Sequence, residues 1–177
     1  NAFAYLLVAK RYAKAFVESI DDAEKLKTAF QNLKTVVPLL ENADFRHAVF
    51  NPLIPIPNRI ELITSFVSLE EINISFLEYL LKKQRFAALS AILNEIEAVI
   101  WQRENKVYVK LSLAGEVSEA VMKKIEDKAR QYFGREPVFE INIDSSLIGG
   151  FLLEAENRKI DASIRFNLEN LEKEIIS

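Results

Sequence analysis

The chain contains no cysteine and a single histidine, His47, among its 177 residues. The first absence excludes disulfide frameworks, thiolate metal sites and cysteine nucleophiles. One imidazole cannot supply a histidine dyad or a histidine-rich metal site, so we expect His47 to be a structural or surface residue on a short helix. The scattered acidic pairs are explained more simply as helix caps and solvated faces than as catalytic carboxylates. The sequence therefore predicts no catalytic residue, no metal site and no cofactor.

The chain also lacks a block of one charge sign and a long apolar run. Its 23 basic residues are interspersed with 26 acidic ones, which leaves a net charge of −3. Nucleic-acid binding through phosphate neutralisation is therefore disfavoured. No apolar run approaches the roughly 20 residues that span a bilayer. The apolar stretch at residues 3–9 is too short and precedes Lys10 and Arg11, which is the wrong order for a signal peptide. We expect no membrane span in this protein.

Apolar residues follow a helical spacing from Tyr5 to about Glu104. The first stripe illustrates the i, i+3, i+4 pattern with Leu6, Ala9, Ala13, Phe16 and Ile20. Asp21 and Asp22 can cap the second helix, and Asn73 can cap the fifth. Three prolines between residues 51 and 57 form the main interruption of this half. The pattern predicts about six helices without strands, which together make a helical bundle.

After Glu104, apolar residues recur at every second position instead of with a helical spacing. Alternation at residues 107–113 and 139–143 predicts two strands, with a helix between them from Ser118 to Phe133. A glycine-bearing strand, a return strand near Ile160 and a last helix follow. Ser163 is the predicted N-cap of that helix, whose stripe is Ile164, Leu168, Leu171 and Ile175. The predicted fold class is α+β, mainly α: a bundle of about six helices at residues 1–104, then a small α+β domain at 105–177 with a short sheet and two helices.

Glycine is scarce, and two of the 4 glycines are adjacent, at Gly149 and Gly150. Glycine weakens a strand unless a bulge or a close backbone approach needs the missing Cβ. A phosphate-binding loop would need a glycine-rich turn that opens a helix, whereas Ile148 and Phe151 flank this pair. We therefore expect a bend at the glycines and a bulged hairpin that returns toward Asp161 and feeds the last helix.

The remaining candidates for function are surfaces that bind a partner. Tyr12, Ala15 and Ser19 share one face of the first predicted helix, and Ser75, Tyr79 and Lys82 share one face of the fifth. Small residues beside tyrosines permit close approach together with an amphipathic contact, as in a groove that holds a foreign helix. These residues fit an ordinary half-exposed surface equally well, and the spacing does not separate the two interpretations.

Several motifs resemble one family, the δ subunit of F-type ATP synthases, whose mitochondrial relative is the oligomycin-sensitivity-conferring protein. Its opening Tyr-Ala-x-Ala pattern matches residues 12–15, and its Gly-Arg-Leu pattern matches residues 84–86, where Gln84 replaces the usual glycine. Its Leu-Ile-Gly-Gly and Ile-Asp-x-Ser signature matches residues 144–150 and 160–168. The signature positions are Gly149, Gly150, Asp161 and Ser163.

The resemblance implies a non-catalytic stator subunit that couples proton flow to ATP synthesis without a cofactor. The helical domain of the family grips N-terminal helices of the α subunits in a groove that maps onto Tyr12, Ala15, Ser75 and Tyr79. The α+β domain of the family binds the C-terminal ends of the b subunits. The implied location is the cytoplasmic face of the bacterial plasma membrane, or its organellar equivalent. The alternative function is a free helical peptide-binding adaptor, which would have no reason to carry the Gly-Gly and Ile-Asp-x-Ser signature.

Overall fold

The computed structural model of the chain describes residues 2–147, 150–157 and 160–167. Over these residues the chain forms seven α-helices, two short 3₁₀ helices and four strands. It divides into two compact units between Ile100 and Trp101. The predicted boundary after residue 104 falls in the turn that follows the sixth helix. The fold is α+β and mainly α, as the apolar periods predict.

The first unit is built from helices, and no strand occurs among its described residues. Two 3₁₀ helices, Val37–Glu41 and Phe86–Ala88, interrupt the α-helices. The α-helices are α1 (Ala2–Glu18), α2 (Ala23–Lys34), α3 (Ala43–Phe50), α4 (Ile56–Thr64), α5 (Glu71–Lys82) and α6 (Leu89–Arg103). Their apolar stripes meet in one core, whose fully buried side chains include Leu33, Ile63, Leu77, Leu89 and Ile96.

The two predicted caps in this unit have different outcomes. Asp22 caps α2 as expected, since its side chain accepts a hydrogen bond of 2.9 Å from the Lys25 amide. The prediction that Asn73 caps α5 is wrong. The helix begins two residues earlier, where the Glu70 carbonyl already accepts the Asn73 amide at 3.0 Å. Asn73 is fully buried instead, and its amide group donates to the Ala29 carbonyl of α2 at 2.9 Å.

The second unit is a four-stranded sheet with one helix packed on it. Its elements are β1 (Lys106–Leu113), α7 (Glu119–Phe133), β2 (Glu136–Ile143), β3 (Gly150–Asn157) and β4 (Ile160–Asn167), and the strand order is β2-β1-β3-β4. β1 and β2 are parallel, and the other two pairs are antiparallel. The predicted alternation of β1 is confirmed, because every second side chain from Val107 to Leu113 is buried in a core that α7 shares.

The last helix was predicted to begin at Ser163, and that prediction is wrong. Ser163 lies inside β4, where it pairs with Glu154 of β3. Residues 160–167 read Ile-Asp-Ala-Ser-Ile-Arg-Phe-Asn, an alternation of period two that also contains the start of a helical stripe at Ile164. The other stripe residues, Leu168, Leu171 and Ile175, lie outside the described residues. The described part of the second unit therefore has one helix, α7, where two were predicted for the domain.

The glycine signature also differs from the predicted bulge. Gly150 is the first residue of β3 rather than a break within a strand, and it pairs with Asn167. From there to the pair of Asn157 and Ile160, each residue of β3 has one partner on β4. A bulge would set two residues against one, so the described hairpin is regular. Gly149 lies outside the described residues.

Candidate functional site

Two aromatic pairs join α1 to α5. The rings of Phe16 and Phe76 have centroids 4.7 Å apart, and those of Tyr12 and Tyr79 are 5.6 Å apart. Tyr12 precedes Phe16 on α1, whereas its partner Tyr79 follows Phe76 on α5. The two helices are therefore antiparallel. The phenylalanine pair belongs to the buried core of the first unit. Relative to the phenylalanine pair, the tyrosine pair is displaced toward the start of α1 and the end of α5.

The two tyrosines differ in exposure. Tyr12 is only 8% exposed and belongs to the core, whereas Tyr79 is 46% exposed. Contact with Tyr12 holds the Tyr79 ring against the surface of the bundle, and such tilted aromatic pairs add about 0.5–1.5 kcal/mol beyond the area they bury. The structure thus provides a fixed aromatic side chain that is still half open to a partner.

The two small residues of the predicted surface flank this aromatic pair on one side. Ala15 lies three residues after Tyr12, and Ser75 lies four residues before Tyr79. At a rise of about 1.5 Å per residue, both are displaced by about 4.5–6 Å in the same direction, because the helices are antiparallel. Ala15 and Ser75 are exposed. The structure therefore groups the four predicted residues where α1 meets α5: Ala15, Ser75 and Tyr79 are exposed, and Tyr12 is buried against Tyr79. We call this surface the α1/α5 face.

Two cations border the α1/α5 face, and neither was predicted from the sequence. The guanidinium carbon of Arg11 lies 6.0 Å from the centroid of the Tyr12 ring. The ammonium nitrogen of Lys83 lies 5.8 Å from the centroid of the Tyr79 ring. Both contacts are in the range of cation–π attraction. The spacing of Lys83 four residues after Tyr79 on α5 was the signal that could have revealed the second contact.

Two carboxyl groups of the second unit, Glu136 and Asp144, have lowered pKa values with structural causes. Hydrogen bonds from Arg130, at 2.9 and 3.0 Å, lower the pKa of Glu136 and fasten the end of α7 to the start of β2. The hydroxyl and amide of Ser146 lower the pKa of Asp144 in the loop after β2. Glu136 is thus held by the neighbouring helix α7, and Asp144 is held within its own turn. Among the residues described, no group of three or more side chains could hold a metal ion.

The remaining candidate residues belong to elements other than α1 and α5. The backbone register places Gly150, Asp161 and Ser163 in the β3–β4 hairpin. His47 is exposed on the short helix α3, in agreement with a surface role. No helix in the described part of the chain has both the length and the apolar character needed to cross a membrane. The fold and the site together define a two-unit protein, helical in the first unit and α+β in the second, whose candidate site is the α1/α5 face.

The comparisons with known proteins specify this class further. Residues 8–175 match the family described as ATP synthase delta (OSCP) subunit. The ATP synthase subunit delta of Pseudothermotoga lettingae is 32% identical over 177 residues, which cover 97% of this chain and 96% of that protein. That of Fusobacterium nucleatum is 28% identical over 168 residues, which cover 94% and 97%. The chain belongs to the ATP synthase delta (OSCP) subunit family.

The structural comparison agrees on the fold. A chain in the cryo-EM structure of the Toxoplasma gondii mitochondrial ATP synthase hexamer superposes with a TM-score of 0.61 at 16% identity, covering 96% of this chain and 97% of that one. As a family member, the protein is a structural stator subunit of an ATP synthase and not a catalytic one. The comparisons do not support the alternative of a free helical adaptor.

Proposed function

We propose that this subunit ties the catalytic head of its ATP synthase to the peripheral stalk through two separate surfaces. The α1/α5 face of the first unit binds N-terminal helices of the α subunits. The second unit binds the C-terminal ends of the b subunits. The proposed domains are accordingly residues 1–104 for the head and 105–177 for the stalk. The half-exposed Tyr79, fixed by Tyr12 and flanked by small residues, is the observation that carries the first contact.

The chemistry of the α1/α5 face fits an amphipathic helix. Ala15 and Ser75 leave room for the apolar side chains of an approaching helix, and the Tyr79 ring gives those side chains an apolar surface. The Tyr79 hydroxyl can stay hydrated at the edge of the contact, because an aromatic ring with a polar tip suits the border between a dry and a wet region. No loop has to rearrange, since both helices are already packed on the core of the bundle.

The second unit has apolar side chains of its own for the b subunits. Ile141 and Ile143 are each 54% exposed near the end of β2. In the register of the sheet they lie beside Leu111 and Leu113 of β1, whose side chains are buried in the core with α7. The two isoleucines therefore continue the apolar face of the sheet beyond the part that is covered. Such a strip can pack against an apolar stripe of a b-subunit helix.

A link of this kind explains how a subunit without catalytic groups serves ATP synthesis. Rotation of the central shaft would turn the catalytic head unless the head were held to the membrane sector. A stator that holds the catalytic head to the membrane sector keeps the head from turning. Rotation of the shaft, driven by ion flow, then changes the conformation of the head. One relative, the δ subunit of Propionigenium modestum, is 25% identical and is named as sodium ion specific. We propose that this subunit serves a proton-driven ATP synthase at the cytoplasmic face of a bacterial plasma membrane. The residues that select the ion then belong to other subunits.

The first test is titration calorimetry of the full chain with a peptide from the N-terminus of the α subunit of the same organism. We expect saturable one-to-one binding that Tyr79→Ala weakens about tenfold or more, because a central tyrosine typically contributes 1–2 kcal/mol or more to an interface. Tyr132→Ala is the matched control, since Tyr132 is an exposed tyrosine on α7 that also contacts a neighbouring aromatic ring, Phe133.

Each outcome of the titration bears on a different part of the proposal. Binding that is equally insensitive to both substitutions would keep the α-subunit contact but remove it from the α1/α5 face. No binding at high micromolar peptide, with the chain shown to be folded by circular dichroism, would overturn the α-subunit assignment.

A further inference from the structure

One end of the α1/α5 face is acidic. Because α1 and α5 are antiparallel, the last turn of α1 lies at the same end as the first turn of α5. Glu18 is the final residue of α1, Glu70 immediately precedes α5, and Glu71 is its first residue. All three glutamates are exposed. We call this set the acidic end of the face. Ala15 and Ser75 lie on the side of the tyrosine pair that points toward it.

The opposite end is basic. Lys82 and Lys83 close α5 three and four residues after Tyr79, and Arg11 immediately precedes Tyr12 on α1. These three side chains are exposed as well, and we call them the basic end. Two of them are the cations that contact the tyrosine rings. Lys82 lies eleven positions after Glu71 on α5, about 16 Å at the usual helical rise. That separation exceeds the screening length of about 8–10 Å in physiological salt, so a bound helix experiences the two ends separately.

The charges between the two ends do not reverse this polarity. Lys14 lies 3.8 Å from Glu18 and offsets about one charge of the acidic end, so the net charge of that end rests on Glu70 and Glu71. Glu78 is exposed four residues before Lys82 on α5 and offsets about one of the three charges of the basic end. The dipoles of α1 and α5 are antiparallel and largely cancel. The side-chain charges at the two ends therefore dominate the field along the face.

Building on the proposed function, we propose that the α1/α5 face binds its partner helix in one direction only. The amino-terminal end of the partner lies at Glu18, Glu70 and Glu71, and its carboxy-terminal end lies at Arg11, Lys82 and Lys83. The bound helix is thus parallel to α5 and antiparallel to α1. Its chemical class is an amphipathic helix with a continuous apolar stripe and with carboxylates in its carboxy-terminal half.

This direction pairs opposite charges at both ends. The first turn of a helix carries about half a positive charge, and its last turn carries about half a negative one. A helix at the very start of a chain adds a free α-amino group, which is largely protonated at neutral pH. The reverse direction would place like charges together at each end, and such juxtaposition is a common way for an interface to exclude a wrong register.

The direction is measured with a peptide from the N-terminus of the α subunit that carries a nitroxide label on its first or its last residue. The full chain, labelled with ¹⁵N, has no cysteine, so a cysteine-linked label stays on the peptide. We expect the label on the first residue to broaden the amide signals of Ser19 and Glu71. The label on the last residue should broaden those of Lys82 and Lys83. The opposite assignment, or equal broadening at both ends, would overturn the proposed direction while the binding itself still stands.

The role of charge is measured with Lys82→Glu combined with Lys83→Glu. We expect the affinity for the same peptide to fall about tenfold at low ionic strength and less at high ionic strength. Lys123→Glu combined with Lys124→Glu on α7 is the control, because it makes the same change in net charge in the second unit. Equal affinities of the two double variants would overturn the role of the charge gradient. A wild-type chain that binds no peptide would overturn the proposed function itself, and this inference with it.

Discussion

At the scale of single residues, Gln84 shows how a backbone conformation can be maintained without the residue that suits it best. Gln84 has a φ of 56°, in the left-handed region where glycine is favoured. Its amide donates to the Leu81 carbonyl at 3.1 Å, and the Arg85 amide donates to the Leu80 carbonyl at 2.8 Å. These two bonds form the Schellman motif that ends α5. Gln84 therefore forms the turn that glycine would form with less strain, at a cost in conformational energy.

We expect Gln84→Gly to stabilise the first unit. A left-handed non-glycine residue costs roughly 1–2 kcal/mol, and the greater freedom of glycine in the unfolded chain returns about 0.5–1 kcal/mol of that. The net gain should be on the order of 0.5–1 kcal/mol, measured as slower amide hydrogen exchange in α5. Asn105→Gly is the control, because Asn105 has a φ of 55° but asparagine tolerates this region better. Faster amide hydrogen exchange in α5 of the Gln84→Gly variant than in the wild type would contradict this explanation.

The caps show which residue roles the sequence could and could not specify. Asp22 was correctly predicted as a cap because an acidic residue before a helical stripe can satisfy free amides of the first turn without help from elsewhere. Asn73 was predicted by the same rule, but its role depends on the Ala29 carbonyl 44 positions away. An amide side chain serves a cap and a buried cross-link equally well, so only the packing of α2 against α5 decides between them. The same limit applies to Tyr12 and Tyr79, whose different exposures follow from tertiary packing.

At the scale of elements, β4 shows where periodicity becomes ambiguous. Residues 160–167 alternate with period two, while Ile164, Leu168 and Leu171 also fit a helical stripe. Such a short segment fits both a strand and a helix. Residues 160–167 form a strand because they pair with β3. Longer elements such as α1 and α7 were predicted because many apolar positions agree on one period. The sequence therefore predicts the number and type of the long elements better than the identity of the last one.

The end of α7 depends on Gly134. This residue has a φ of 68°, and its amide donates to the Arg130 carbonyl at 3.0 Å. A Cβ at this position would meet nothing within 4 Å, so any cost of adding one comes from the backbone conformation alone. We expect Gly134→Ala to destabilise the second unit by about 1 kcal/mol. Amide hydrogen exchange in α7, which should become faster in the variant, measures this change.

Gly115→Ala is the matched control for Gly134. A Cβ at Gly115 would also meet nothing within 4 Å, and its φ lies outside the left-handed region. We expect a change within about 0.5 kcal/mol. Equal effects of the two alanine substitutions would show that the left-handed turn after α7 carries no conformational cost in solution.

At the scale of the whole molecule, a stator link must hold two partners at the same time. The chain presents a different kind of surface in each unit. The α1/α5 face combines one half-exposed aromatic ring with small residues and charged ends, whereas β2 presents the two isoleucines Ile141 and Ile143. Neither surface contains a group that must titrate or react. If both surfaces bind partners as proposed, the subunit transmits force for as long as the two contacts persist together.

If the two surfaces serve different partners, substitutions on one should leave binding at the other unchanged. Ile141→Ser combined with Ile143→Ser should weaken binding of a C-terminal segment of the b subunit about tenfold or more, because the double change removes two apolar side chains from the contact. It should leave the affinity for the α-subunit peptide unchanged. Tyr79→Ala should show the converse pattern. Calorimetric titration of each variant with each ligand measures all four values.

Leu53→Ser is the control for the isoleucine pair, since Leu53 is the more exposed at 88% and lies in the first unit. Its substitution should change neither affinity by more than a factor of about two. The isoleucines are already half in water, so their replacement should cost the second unit less stability than truncation of a buried side chain such as Leu111. A double variant that keeps full affinity for the b segment would remove β2 from the stalk contact. A folded variant of either surface that loses affinity for both ligands would contradict the assignment of one ligand to each unit.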